Sequence, residues 1–92
     1  MVKTFKCKHT ESLYNGESPK RFKAFRAVAE RKLQMLDVAR RLDDLRRPPR
    51  NMLEKLSGDR QGQWSIRIND QWRICFIWDD GNALDVEIID YH

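Results

Sequence analysis

The residues best suited to chemistry cluster at the end of the chain. Asp90, Tyr91 and His92 close the sequence, and Arg73 lies mid-strand before them. A guanidinium is costly to bury without an anionic partner, and its planar fork matches two non-bridging phosphate oxygens. Two readings of Arg73 are therefore open: a cross-strand salt bridge to Glu87, or a clamp whose bonds strengthen as charge builds on a phosphate. Histidine can give or take a proton at neutral pH. His92 is thus either a proton donor or acceptor or a frayed terminal side chain. Asp90 either orients that imidazole or caps the sheet edge. Strict alternation puts Tyr91 on Arg73's face and Asp90 and His92 on the other, so a joint site requires a bulge or a twisted terminus. Glu54 and Lys55 add an acid and a base beside the strands; an exposed Glu-Lys pair is otherwise a solvated surface. His9 reads as solvated or packing.

The elements that must position these groups follow from periodicity. Val2 to Cys7 alternates and predicts a short first strand. Thr10 is placed to cap a short helix through Tyr14, with Asn15-Gly16 as its stop. Ser18 and Pro19 suit the N-cap and first position of a helix running to about Arg40. Along it Phe22, Phe25, Val28, Ala29, Leu33, Met35, Leu36 and Ala39 share half of the wheel, opposite Lys23, Arg26, Glu30, Gln34 and Asp37. Leu42 and Leu45 extend it by at most a turn, and Pro48-Pro49 ends it, leaving Arg46 to Arg50 an extended basic connection. Residues 51–56 fit a helical turn or an irregular segment equally. Trp64, Ile66 and Ile68 alternate as a strand, and Trp72, Ile74, Phe76 and Trp78 as the next, with Arg73, Cys75 and Ile77 on its other face. Asp79-Asp80-Gly81 fits a three-residue hairpin loop, which sets Phe76 against Leu84, Ile74 against Val86 and Arg73 against Glu87. The expected architecture is α+β: an N-terminal strand, two helices, then a three-strand antiparallel meander with the long helix packed on one sheet face.

At 92 residues the chain makes one domain, 1–92, because a core of this size buries roughly 60–65% of the unfolded surface and leaves nothing for a second. No apolar run approaches the about 20 residues that span a bilayer, and the cationic start lacks the apolar segment of a signal peptide, so a cytoplasmic location with no membrane role is expected. Cys7 and Cys75 have no ligand spacing; buried thiols, and no metal or other cofactor, are expected. The net charge of +4 favours a polyanion only where the cations converge. Arg46, Arg47, Arg50, Lys55, Arg60 and Arg67 gather around the connection and the first meander strand, flanked by Trp64 and Trp72 for base stacking. That pattern points to RNA or DNA, against a plain solubility role.

Three stretches carry a more specific signal: Leu56-Ser57-Gly58-Asp59-Arg60-Gln61-Gly62-Gln63-Trp64-Ser65-Ile66, Asn69-Asp70-Gln71-Trp72-Arg73-Ile74-Cys75-Phe76, and Asp90-Tyr91-His92. Together they resemble the HigB toxins, in the RelE/ParE superfamily of bacterial type II toxin-antitoxin systems, over nearly the whole chain. The resemblance implies a ribosome-dependent endoribonuclease that cleaves the codon in a vacant decoding site, without metal, by attack of the ribose 2′-hydroxyl on the adjacent phosphate. By the same resemblance Arg73 would stabilise the transition state, His92 would act as general acid or base, Tyr91 would position the substrate and Asp90 would set the histidine's orientation. Glu54 stands where ribosome-cleaving relatives have a second histidine, and a glutamate there can still serve as a base. The implied partners are the ribosome with its mRNA and a HigA-type helix-turn-helix antitoxin, through which alone operator DNA would be bound. A ParE-like inhibitor of DNA gyrase on the same fold is the competing function, and a non-catalytic basic RNA-associated domain the third.

Overall fold

The alternation that begins at Trp64 builds a sheet of four antiparallel strands in the order β1-β2-β3-β4. The strands are β1 Glu54–Lys55, β2 Trp64–Arg67, β3 Trp72–Asp79 and β4 Asn82–Asp90. The computed structural model describes residues 1–90; Tyr91 and His92, on which two of the site expectations fall, lie outside the described residues. Two α-helices, α1 Lys8–Tyr14 and α2 Arg26–Val38, complete the α+β architecture.

One sheet face and the helices share a single core. Ile66, Ile74, Phe76, Val86 and Ile88 meet Leu13, Phe22, Ala29, Leu33, Leu36 and Leu45 there. Trp72 closes one end of it, 5.8 Å from the Phe22 ring and 5.0 Å from that of Phe25, and is therefore committed to packing rather than to base stacking. This aromatic cluster explains why the expected helix from Pro19 is broken. Residues Lys20–Phe25 form a 3₁₀ helix, whose three-residue period stacks Phe22 directly above Phe25 on the core side, and the α-helical period takes over only at Arg26. Ser18 makes no cap there. α2 stops at Val38, with Leu42–Arg46 as a separate 3₁₀ turn.

The N-terminal segment is extended but joins the sheet only through isolated parallel bridges, Val2 with Ala83 and Phe5 with Val86. The exposed edge of β4 is nonetheless satisfied. Its amides at Ala83 and Val86 donate to Met1 and Thr4 carbonyls, that of Asp85 to Thr4 Oγ1 and that of Ile88 to Thr10 Oγ1 at 3.0 Å. Thr10 thus sits fully buried inside α1, with Cys7 at the cap position, and its hydroxyl ties α1 to the sheet instead of capping the helix.

Two further expectations are corrected. The β3–β4 turn has two central residues, Asp80 and Gly81, both at positive φ (47° and 83°), and Asp79 pairs with Asn82. A primed turn of this kind follows the strand twist more closely than the longer loop. Farther along, Asp85 and Val86 together face Phe76, a bulge at which Asp85 has φ 51°. The two changes move the pairing so that Ile74 faces Ile88 and Arg73 faces Ile89, not Glu87. The basic connection is extended only at Arg47 and Pro48, which are joined by a cis bond, and Pro49–Asn51 is a 3₁₀ turn. Buried Asn51 pins it to the helix. Its Nδ2 donates to the Leu45 and Arg47 carbonyls at 3.1 and 3.3 Å, and its Oδ1 accepts from Lys32 Nζ.

Candidate active site on the sheet face away from the helices

Because alternate side chains of a strand point to opposite faces, the apolar fit of Trp72, Ile74 and Phe76 to the helices forces Arg73 and Cys75 to the other side. Cross-strand pairs share a face, so Ser65 (opposite Cys75), Arg67 (opposite Arg73), Glu54 (opposite Ser65) and Glu87 (opposite Cys75) all lie there. The edge strand β1 completes the constellation: it lays Glu54 beside Ser65, one strand beyond the expected meander.

Arg73 is only 8% exposed. Nη1 donates to Ser65 Oγ at 2.8 Å and to the Met52 carbonyl at 3.3 Å, and Nη2 lies 3.4 Å from Glu54 Oε1. Met52 has φ 45°, and through its carbonyl this left-handed residue leading into β1 helps hold the guanidinium. Ser65 is completely buried, whereas the Glu54 side chain is 46% exposed. Among the described residues, two neutral acceptors hold this buried cation and an accessible carboxylate faces it. The expected Arg73–Glu87 ion pair is replaced by two others, Arg73 with Glu54 and Arg60 with Glu87 at 3.2 Å. Arg60 also donates to Gln63 Oε1 at 3.1 Å. Between them, burial pushes the Cys75 thiol up to about 11, against the opposing pull of Arg60 and Arg73.

The remaining expected residues distribute unevenly. Asp90 faces Trp72 at the end of β4, on the side opposite Arg73, and accepts from Gln71 Nε2 at 2.9 Å. Lys55 also falls on the helix side, its Nζ 6.0 Å from the Trp64 ring centroid. Arg67 shares Arg73's face and is tethered to Asp70. Arg46 pairs with Asp43 at 2.9 Å, and Arg47 and Arg50 are exposed on the connection. Arg73 and Glu54 therefore come together, with Arg60 and Arg67 on the same face, while Lys55 and the connection arginines stand apart. Sequence reasoning missed Ser65 and Met52. Ser65 carries a legible signal, a polar residue inside the Trp64-Ser65-Ile66 alternation on the strand next to an arginine; Met52 contributes backbone only and carries none. Among the described residues no group of three or more histidine, cysteine, aspartate or glutamate side chains is arranged to hold a metal, and no helix is long and apolar enough to cross a membrane.

A four-stranded antiparallel sheet with two helices is a fold that this chain shares with solved toxin-antitoxin structures. Two solved complexes of YoeB with YefM from Staphylococcus aureus each match all of this chain and 98% of theirs, with TM-scores of 0.58 and 0.60 at 21% and 17% identity. The sequence narrows the class further. Residues 3–92 match the family described as the RelE-like toxin HigB of type II toxin-antitoxin systems, and the chain belongs to that family. It is 43% identical over 89 residues to Toxin HigB-1 of Vibrio cholerae serotype O1, covering 92% of each chain. Over 61 residues it is 39% identical to Endoribonuclease HigB of Proteus vulgaris, covering 66% of this chain and 65% of that one.

Proposed function

We propose that this toxin is an endoribonuclease that cuts mRNA on translating ribosomes, in the cytoplasm, and that a HigA-type antitoxin neutralises it. The observation that carries the reading is the Glu54–Arg73 arrangement: an accessible carboxylate 3.4 Å from a buried, fixed guanidinium. Family membership and the relative named as an endoribonuclease support the choice of RNA as substrate. The neighbours crystallised as toxin-antitoxin complexes support the antitoxin.

The nucleophile in this reading is the substrate's own 2′-hydroxyl. Glu54 removes its proton while the oxygen bonds to the adjacent phosphorus, and Arg73 neutralises the charge that grows on the non-bridging oxygens. The 5′-oxygen leaves with the bonding electrons and takes a proton from His92, while Tyr91 positions the nucleotide. The products are a 2′,3′-cyclic phosphate and a 5′-hydroxyl. Arg60 and Arg67 on the same sheet face, with Lys55, Arg46, Arg47 and Arg50, contact ribosomal and messenger phosphates, which suits a surface of net positive charge.

Brief expression without antitoxin, followed by mapping of mRNA 5′ ends, tests the proposal. New 5′ ends within codons are expected; intact messages accompanied by cleaved chromosomal DNA would instead identify a gyrase inhibitor. Removing His92 should abolish toxicity and leave antitoxin binding intact, and retained toxicity would remove the histidine from the mechanism.

A further inference from the structure

We infer that Ser65 is a positioning residue for the cleavage reaction: its hydroxyl, with the Met52 carbonyl, fixes the Arg73 guanidinium so that Nη2 is turned toward Glu54 and the incoming phosphate. The inference rests on the proposed role of Arg73 and extends it to a side chain that never touches substrate.

The geometry is specific. Both protons of Arg73 Nη1 are committed, one to Ser65 Oγ at 2.8 Å and one to the Met52 carbonyl at 3.3 Å. The two acceptors come from different segments, β2 and the left-handed residue leading into β1, so the plane of the fork is set from two directions. Nη2 meets a partially exposed anion, the Glu54 carboxylate that a phosphate oxygen would approach. An arginine side chain has many rotamers, and ordering it in advance removes that cost from the transition state, where donors must already point at the developing charge. Ser65 has no exposure to solvent or substrate, and its backbone is already spoken for in pairing with Glu54 and Cys75. The hydroxyl is therefore the part of Ser65 that the guanidinium uses.

The test uses the full-length toxin on ribosomes programmed with mRNA and an empty decoding site, reading single-turnover cleavage across toxin concentrations. Ser65→Ala should lower the saturated rate by about 10- to 100-fold, the range that a misplaced catalytic group produces. The half-saturating concentration should stay within about twofold, and Ser65→Thr, which keeps the hydroxyl, should recover most of the rate. In an Arg73→Lys background, which lacks Nη1, Ser65→Ala should change the rate by less than about twofold, because coupled residues are non-additive. A wild-type rate for Ser65→Ala, or an equal loss in both backgrounds, overturns the inference. Should Ser65→Ala fail to melt cooperatively, Ser65→Cys takes its place, matching the volume with a weak acceptor; equal rates for the cysteine and threonine variants overturn the inference as well. An Arg73→Lys variant that cleaves at the wild-type rate is a different result, since it removes Arg73 from the mechanism and the role of Ser65 with it.

Discussion

Glu54 is the side chain in which structure and chemistry are most tightly joined. It sits on a two-residue edge strand, keeps nearly half of its surface in solvent and faces the buried guanidinium of Arg73 at 3.4 Å. In the proposed reaction the base must be accessible to substrate and the transition-state cation must be rigid, and the pair divides those demands between its members. Glu54→Gln keeps the shape and the hydrogen-bonding ability but cannot accept a proton, so cleavage should fall by about 10²- to 10⁴-fold. The melting temperature should fall as well, because the buried Arg73 guanidinium loses the charge of that carboxylate. Glu54→His should restore a working base, one that titrates near 6.5 in model peptides. Its rate should therefore drop as pH is lowered from about 7.5 to about 5.5, where the imidazole is protonated. Rate–pH profiles of the glutamine, histidine and wild-type proteins check both statements. Equal rates for wild type and Glu54→Gln would show that the carboxylate only balances charge. The Arg73–Glu54 pairing was not legible from spacing, because the cross-strand rule applied to β3 and β4 alone pointed to Glu87. What the alternation did specify was the face: Arg73 and Cys75 opposite the aromatic residues, which is where they lie.

At the level of elements, legibility followed periodicity. Strands β2 and β3 and the apolar face of α2 repeat often enough to be read, and Phe22, Phe25, Ala29, Leu33 and Leu36 are buried as that pattern requires. A two-residue strand such as β1 has no period, and six residues do not separate a three-residue repeat from a 3.6-residue one, so the edge strand and the 3₁₀ segment were hidden. The bulge was hidden for another reason. Asp85 takes a left-handed conformation that aspartate tolerates, and nothing in the alternation marks it. Where such local devices matter, single substitutions expose them. Gly81→Ala should destabilise by about 1–2 kcal/mol in chemical denaturation, since Gly81 has φ 83° and a new Cβ would lie 3.3 Å from the Arg40 carbonyl. Asn51→Ala should cost more, about 2–4 kcal/mol, because it strands the buried Leu45 carbonyl and the partly buried Arg47 carbonyl and leaves the ammonium of Lys32, a residue 7% exposed, without its amide acceptor. Burial already holds the Lys32 pKa below its ordinary value, with Arg31 and Arg67 adding to the effect. The folded lysine thus binds its proton less tightly than the unfolded one, and this group's contribution to stability rises as pH approaches 10.5.

Considered as a whole, the molecule separates two cationic sets. Arg60, Arg67 and Arg73 are bound into the sheet face by Glu87, Asp70 and Glu54, whereas Arg47 and Arg50 project from a connection that buried Asn51 clamps onto α2. In the proposed reaction Arg73 acts at short range on the scissile phosphate, whereas the charges of the connection act on a polyanionic surface and are screened by salt over about 8–10 Å. Neutralising Arg46, Arg47 and Arg50 together as glutamine would lower the net charge from +4 to +1 without touching the Arg73 cluster. Stability should stay within about 0.5 kcal/mol, as exposed side chains away from the core allow. Ribosome association should weaken by about tenfold at physiological salt, and the decline of affinity with salt should become shallower as fewer counterions are released. The saturated cleavage rate should be retained, because the guanidinium, its Ser65 anchor and Glu54 are intact. Binding measured from 50 to 200 mM salt, alongside single-turnover cleavage, separates the two functions. A loss of saturated rate with unchanged association would place the connection at the scissile phosphate, and the division between recruiting and reacting cations would fall.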